Sequence, residues 1–189
     1  MKRTDVRKLI SNIPSRLEAI KTEVRSMARE DLDVICRIEK QRFSAPWTRF
    51  EFLAHLRKRN CGILVALEEG QTVGYLIFRR GQDFTEIQKI AVDSLHCRCG
   101  VGRTLVKSLS ERIDNTTSKM TLTVPERNLN AQLFFQRLGF EAVAIVRDYV
   151  SQHSEDAYIM ERDLTMDAET VDMGEFPSKT VQLIVKNAS

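Results

Sequence analysis

The sequence predicts a mixed α/β fold, a central sheet flanked by helices, in the order β-α-α-β-β-β-α-β-α-β-β. Three observations predict it. Gly62 to Phe78 reads as two apolar runs around Glu68-Glu69-Gly70-Gln71, a hairpin. Phe84 to Val92 ends in continuous apolar residues, as a central strand does, and passes through a glycine-containing turn into a helix. Lys119 to Val124 is a further strand, stopped by Pro125 and followed by helical Ala131 to Leu138. Strands interleaved with helices in this way build a sheet with helices on it.

The remaining elements follow in order. Val24 to Ala28 alternates like a short strand. Asp31 is placed to cap a helix carrying Val34, Ile35 and Ile38, and Phe43 to Thr48, with Pro46, breaks that helix. Thr48 starts the next, Arg49 to Arg59, with Phe50, Phe52, Leu53 and Leu56 as its apolar residues. Leu105, Val106, Leu109 and Ile113 mark the helix after the turn. Gly139 ends the last helix at C′, and strands follow around Phe140 to Arg147 and Ala157 to Glu161. The chain divides into an amphipathic extension (1–22), one domain (23–164) and an acidic tail (165–189), in which 180–185 has strand character. In the extension Val6, Leu9, Ile10, Ile13, Leu17 and Ile20 recur at helical steps. Met1 to Arg29 holds eight basic residues against three acidic. Such a helix suits a membrane surface or an acidic partner, but capping the core is its commoner use.

Composition narrows the function. The 189 residues suit one domain with extensions, and a net charge of +3 does not describe a chain dominated by nucleic-acid binding. No apolar run approaches the ~18 residues of a membrane span, and the N-terminus shows no secretory signal. Four unevenly placed cysteines fit a reducing cytoplasm. The expectation is a cytoplasmic protein with no nucleic-acid or membrane partner.

The most informative stretch runs from Ile90, Ala91 and Val92 through His96, Cys97, Arg98, Cys99, Gly100, Val101, Gly102, Arg103 and Thr104. Gly100 and Gly102 remove side chains where the N–H groups of a helix start face outward. Those donors and the helix dipole suit a pyrophosphate, with Arg98 and Arg103 adding positive charge. The alternative is a glycine-lined contact between helix and strand. A Walker A loop is excluded, because no Gly-Lys-Ser/Thr follows, and the six-position dinucleotide fingerprint lacks its third glycine. Downstream, Asn128 meets a strand end and a helix start, where its amide caps the helix or reaches a ligand. Cys97, Cys99 and His96 lack a fourth neighbour for zinc, so no metal is expected. His55 and His153 read as surface residues, and Trp47 as a core or loop anchor.

Together these elements resemble the GNAT acyltransferase superfamily from about Val24 to Asp163, roughly three quarters of the chain. His96 to Arg103 is similar to its pyrophosphate loop, and Asn128, Ala131, Phe135 and Leu138-Gly139-Phe140 are similar to its coenzyme A helix. Ile38-Glu39, Phe43-Ser44-Ala45-Pro46-Trp47, Arg147-Asp148-Tyr149 and Glu155 to Met160 resemble the RimI-type protein N-terminal acetyltransferases. The resemblance implies a GNAT-like sheet and acetyl-CoA as cosubstrate, bound by Ile90 to Val92, Cys97 to Thr104, Asn128 and Phe135. It also implies a primary amine as acceptor, first of all a protein N-terminus, and direct attack in a ternary complex. Open alternatives are a small-molecule amine acceptor and a catalytically silent coenzyme A-binding module. A homodimer is also left open.

The chain departs from the family's pattern in four places. Cys97 stands at the loop's usual Gln/Arg. Phe135 stands where many relatives carry a proton-donating Tyr, and Phe has no proton to give. Thr123 stands where RimI-type enzymes often have a basic Glu, and Val150 replaces a second Tyr after Tyr149. A thiol of pKa ~8.5 leaves as thiolate without a donor, and an α-amine at ~7.7–8.0 needs less help than lysine to lose its proton. For the base, Glu86 is the first candidate, since strict alternation puts Glu86, Gln88 and Ile90 on one face of the strand leading to the loop. Glu126, at the end of the neighbouring strand, is second, and Tyr149 is a candidate acceptor-site or proton-donating residue.

Overall fold

The computed structural model describes residues 21–113, 117–150, 155–165 and 184–187. The extension, apart from Lys21 and Thr22, most of the tail, and His153 lie outside the described residues. In chain order come β1 (Glu23–Ser26), α1 (Leu32–Arg42), α2 (Arg49–Leu56), β2 (Cys61–Glu68), β3 (Gln71–Arg80) and β4 (Phe84–Val92). They are followed by α3 (Val101–Ser110), β5 (Lys119–Pro125), α4 (Leu129–Gln136), β6 (Glu141–Val150), β7 (Glu155–Asp163) and β8 (Ile184–Asn187). The mixed α/β architecture and its element order match the expectation, with β8 added. The sheet runs β1-β2-β3-β4-β5-β7-β6-β8. Pairs β4–β5 and β6–β8 are parallel and the others antiparallel.

Local chemistry sets the element ends. Thr48 and Glu51 form a reciprocal capping box: Thr48 Oγ1 accepts from the Glu51 N–H at 3.3 Å, and Glu51 Oε2 accepts from the Thr48 N–H at 2.6 Å. The β2–β3 turn places Glu69 at φ 51° and Gly70 at φ 77°, the left-handed pair that suits the twist of a tight hairpin. Gly139 closes α4 at φ 82°. Asp31 does not cap α1. It sits in a 3-10 turn, Arg29–Asp31, and its carboxylate turns back to the Ala28 N–H, Arg25 and the Thr72 hydroxyl.

Alternation along β2 and β3 sends side chains to two buried layers. Leu64, Ala66 and Leu76 join Val101, Leu105, Leu109, Phe135 and Phe140 under α3 and α4. Ile63, Val65, Tyr75 and Ile77 join Leu32, Ile35, Ile38 and Phe52 under α1 and α2. Burial on both faces explains the near-continuous apolar run of β2.

Strand β4 breaks its own alternation. Against β3, Ile77 pairs with Lys89 but Phe78 pairs with Ile87, so Gln88 is an extra residue, a β-bulge. Ile87, Ile90 and Val92 therefore all face α3 and α4, while Glu86, Lys89 and Ala91 face the α1/α2 side. The expected single face for Glu86, Gln88 and Ile90 is incorrect for this reason. Beside the bulge, β4 parts from β5. Phe84 to Ile87 pair with Lys119 to Leu122, and beyond that both strands continue without pairing to each other.

Candidate functional site

The mouth where β4 and β5 separate is framed by the β4–α3 loop. After Val92 the chain makes a short 3-10 turn, Ser94–His96, capped by the Asp93 side chain, which accepts from the Leu95 N–H at 3.0 Å. Cys97 points its thiol inward, donating to the Asp93 carbonyl at 3.4 Å. Cys99 is exposed, and Arg98 lies at φ 65°. Gly100 is the N-cap of α3 at φ 91°. A Cβ there would meet nothing within 4 Å, so backbone conformation alone asks for glycine. At Gly102 the reason is space, because a Cβ would come within 3.2 Å of the Phe134 ring on α4.

The first intrahelical bond of α3 runs from the Thr104 N–H to the Gly100 carbonyl at 3.0 Å. The N–H groups of Val101, Gly102 and Arg103 precede it and open toward the loop. With the helix dipole and two exposed guanidiniums, Arg98 and Arg103, this end of α3 fits an anionic phosphate group. Asn128 is a cap: its Oδ1 accepts from the Ala131 N–H at 3.2 Å at the start of α4. Phe135 is buried in the core, edge-on to Phe134 and Phe140 at 5.0 and 5.3 Å.

The three candidate catalytic residues occupy different surroundings. Glu86 Oε2 accepts from Arg79 at 2.9 Å and from Gln88 Nε2 at 3.2 Å. Since Leu122 and Val124 enter the α3/α4 layer, Thr121 and Thr123 face the other way, and Thr121 is the register partner of Glu86. Glu86 thus shares the α1/α2 face of the mouth with Thr123. Glu126 is exposed beyond the end of β5, where its N–H donates to the Asp156 carbonyl. Tyr149 is 48% exposed near the end of β6, beyond the Val146–Ala157 pair and so at the same end of the sheet. The structure brings Glu86 toward the mouth and leaves Glu126 and Tyr149 on its rim.

Sequence reasoning missed a buried polar cluster on that face. Glu39, on α1, has no exposed surface and accepts from the Trp47 N–H at 2.8 Å, from the Tyr75 hydroxyl and from Lys89 Nζ. Lys89 also lies over the rings of Phe43 and Trp47, at 4.2 and 5.1 Å. The cluster fastens the α1–α2 connection to β4 at the point where β4 leaves β5. Its signal was legible: a glutamate four residues after Ile35 on the apolar face of α1, and a lysine inside an apolar strand. Trp47 is the loop anchor expected, packed against Phe52 and His55 with ring centroids 5.5 Å away in each case. His55 is not a surface residue. It is 5% exposed, its Nε2 is 3.4 Å from the Phe78 carbonyl, and burial holds its pKa below the usual imidazole value.

Among the described residues no group of three or more His, Cys, Asp or Glu side chains is placed to hold a metal. No helix among them is long and apolar enough to cross a membrane.

The profile of the Acetyltransferase (GNAT) family matches residues 32–140. A Bacillus subtilis (strain 168) protein, provisionally named as a ribosomal protein bS18-alanine N-acetyltransferase, is 29% identical over 74% of this chain and 94% of its own. An N-alpha-acetyltransferase of Saccharolobus solfataricus is 25% identical over 75% of this chain and 92% of its own. The crystal structure of the Escherichia coli ribosomal-protein-S18-alanine N-acetyltransferase superposes with a TM-score of 0.68 at 23% identity, over 82% of this chain and 99% of that one. An N-acetyltransferase from Thermoplasma acidophilum, solved in complex with coenzyme A, superposes at 0.63 and 15% identity, over 76% and 99%.

Proposed function

Because the chain belongs to the GNAT acetyltransferase family, we propose that it transfers an acetyl group from acetyl-CoA to the α-amine of a protein or peptide N-terminus. The observation that carries this reading is the mouth itself, a gap between β4 and β5 with the open N-terminus of α3 beside it. The N–H groups of Val101, Gly102 and Arg103, with Arg98, hold the pyrophosphate of the donor. The thioester arm enters between the strands from the α3/α4 side, and a main-chain N–H of the Ile90–Val92 segment donates to the oxyanion. The amine approaches from the opposite face, past the connection fastened by Glu39.

Glu86 takes the amine proton, directly or through one water, from that same face. The nitrogen forms its bond to the thioester carbon and the carbon–sulfur bond breaks. The thiolate leaves without a protein donor, since Phe135 lies in the core and carries no proton to give. The names of the relatives support an N-terminal acceptor over a small amine.

The test is a panel of peptides with free α-amines, the same peptides blocked at the N-terminus but carrying lysine, and small amines, each with acetyl-CoA and with release of free thiol followed. Turnover of the free N-termini alone is expected. Turnover confined to small amines overturns the acceptor assignment, and acetyl-CoA binding without turnover of any amine marks a silent coenzyme-binding module.

A further inference from the structure

The β4–α3 loop is held from behind by a buried carboxylate that takes no part in the transfer steps. Glu68, the last residue of β2, is 6% exposed. Both of its oxygens are taken: Oε1 accepts from the Thr22 hydroxyl at 2.9 Å, and Oε2 accepts from His96 Nδ1 at 2.7 Å. Thr22 immediately precedes β1, and His96 closes the 3-10 turn of the loop, 28 positions from Glu68 in the chain. One side chain thus joins the entry to β1, the end of β2 and the loop.

The loop's other side-chain hydrogen bonds stay close to home. Asp93 accepts from the Leu95 N–H, the Cys97 thiol turns to the Asp93 carbonyl and the Cys99 thiol to the Cys97 carbonyl. Among the described residues, His96 to Glu68 is the side-chain hydrogen bond that ties this loop to an element other than β4 and α3. At the backbone, the Asp93 N–H donates to the Val73 carbonyl at 2.8 Å, which fixes the loop's first residue. Past His96 the chain takes two left-handed residues, Arg98 at φ 65° and Gly100 at φ 91°. That conformation costs free energy at an arginine and persists where the surroundings hold it. Arg98 is exposed, so the hold comes from the two sides of it: His96 before, and buried Val101 at the start of α3 after.

We propose that Glu68 is a positioning residue for acyl transfer: by gripping His96 it sets the shape of the β4–α3 loop, and by gripping Thr22 it makes that shape depend on how the chain enters β1. The inference rests on the reading of the protein as an acetyl-CoA-dependent enzyme. Glu68 does not itself meet the donor, since its charge would repel a phosphate and both oxygens are turned to Thr22 and His96. It acts through the loop, which presents Arg98 and the open N–H groups of α3 already arranged. Without the tie the loop spreads over other arrangements, and the fraction competent to bind falls. Apparent donor affinity falls in proportion, while the chemical step of the bound complex is untouched.

The experiment uses the full chain and its variants His96→Ala, His96→Asn, Glu68→Ala, Thr22→Val and the double variants Glu68→Ala/His96→Ala and Glu68→Ala/Thr22→Val. It measures acetyl-CoA affinity by calorimetry, kcat at saturating donor with a free N-terminal peptide, and melting temperature. His96→Ala and Glu68→Ala are each expected to weaken acetyl-CoA about tenfold, with kcat within about twofold of the wild type. The Glu68→Ala/His96→Ala variant should be no weaker than either single one, because both substitutions remove the same contact. His96→Asn offers an amide N–H in place of Nδ1 and should recover most of the affinity. Thr22→Val should weaken acetyl-CoA severalfold in the wild type and not at all beside Glu68→Ala. Unchanged affinity in a folded His96→Ala overturns the proposal, even if its melting temperature falls, because the pair is then only a brace. Losses that multiply in Glu68→Ala/His96→Ala overturn it as well, and an inert Thr22→Val overturns the dependence on β1. A wild type that binds no acetyl-CoA overturns the underlying reading instead.

Discussion

Glu39 accepts hydrogen bonds from three groups in a fully buried position, so truncating it strands the Trp47 N–H, the Tyr75 hydroxyl and the Lys89 ammonium together. Glu39→Ala should cost about 3–5 kcal/mol in chemical denaturation, the range for breaking a buried ion pair on one side. Glu39→Gln keeps the acceptor for Trp47 and should cost less, which separates the lost hydrogen bonds from the lost charge. For Glu86→Gln the expectation is kinetic: kcat/KM lower by about 10²–10⁴ near neutral pH, with acetyl-CoA affinity unchanged. The deficit should shrink as pH rises and the free amine loses its proton unaided. A pH-dependent deficit in Glu126→Gln instead would move the role there. His55 gives a third expectation, in stability. Burial lowers its folded-state pKa, so the unfolded chain takes up the proton first as pH falls. Its contribution is therefore complete above about pH 6.5 and is lost as pH drops below that value. Melting temperatures measured from pH 7.5 to 5 should fall less steeply in His55→Phe, which fills the same space beside Trp47 without titrating.

At the scale of elements, β4 decides the site, and it is also where reading from sequence met its limit. The strand itself, its exit into a glycine turn and the helix beyond were legible from the apolar run and from Gly100 and Gly102. The bulge was not, because Gln88 looks like any polar residue in an alternating strand, and only the register against β3 shows that it is extra. Counting by twos across it sends Ile90 to the wrong face. Deleting Gln88 restores plain alternation and keeps Ile87 and Ile90 under α3 and α4, with Lys89 and Ala91 on the other side. Both cores should survive, and circular dichroism should show a folded protein. The local bend should be lost, and with it most acetyl-CoA affinity by calorimetry. Full affinity in that deletion variant would show that the bulge is not what opens the mouth. Glu39 and Lys89 were missed for a different reason: each charge stands out in its apolar setting, but only the fold brings the two together, from 50 positions apart in the chain.

For the molecule as a whole, the sheet is one ladder that narrows at a single junction. Among the described residues, the strand pairing that joins β1 to β4 with β5, β7 and β6 is confined to Phe84–Ile87 against Lys119–Leu122, since β4 and β5 run on without pairing to each other beyond it. The element order made a mixed sheet with flanking helices readable in advance, but neither the order of the strands across it nor where the parallel pairing stops was encoded in any residue type. The narrow junction makes the molecule two panels sharing a short hinge line, and segments joined by few main-chain bonds open locally before the rest. A donor lying in the gap would then act as a fastener between the panels as well as a reactant. Its binding should slow amide hydrogen exchange on both sides, in Ile90 to Val92 and in Thr123 to Val124, beyond the slowing seen at the α3 N-terminus. Slowing confined to the α3 end would mean that each panel keeps its own stability and that the donor only rests on one of them.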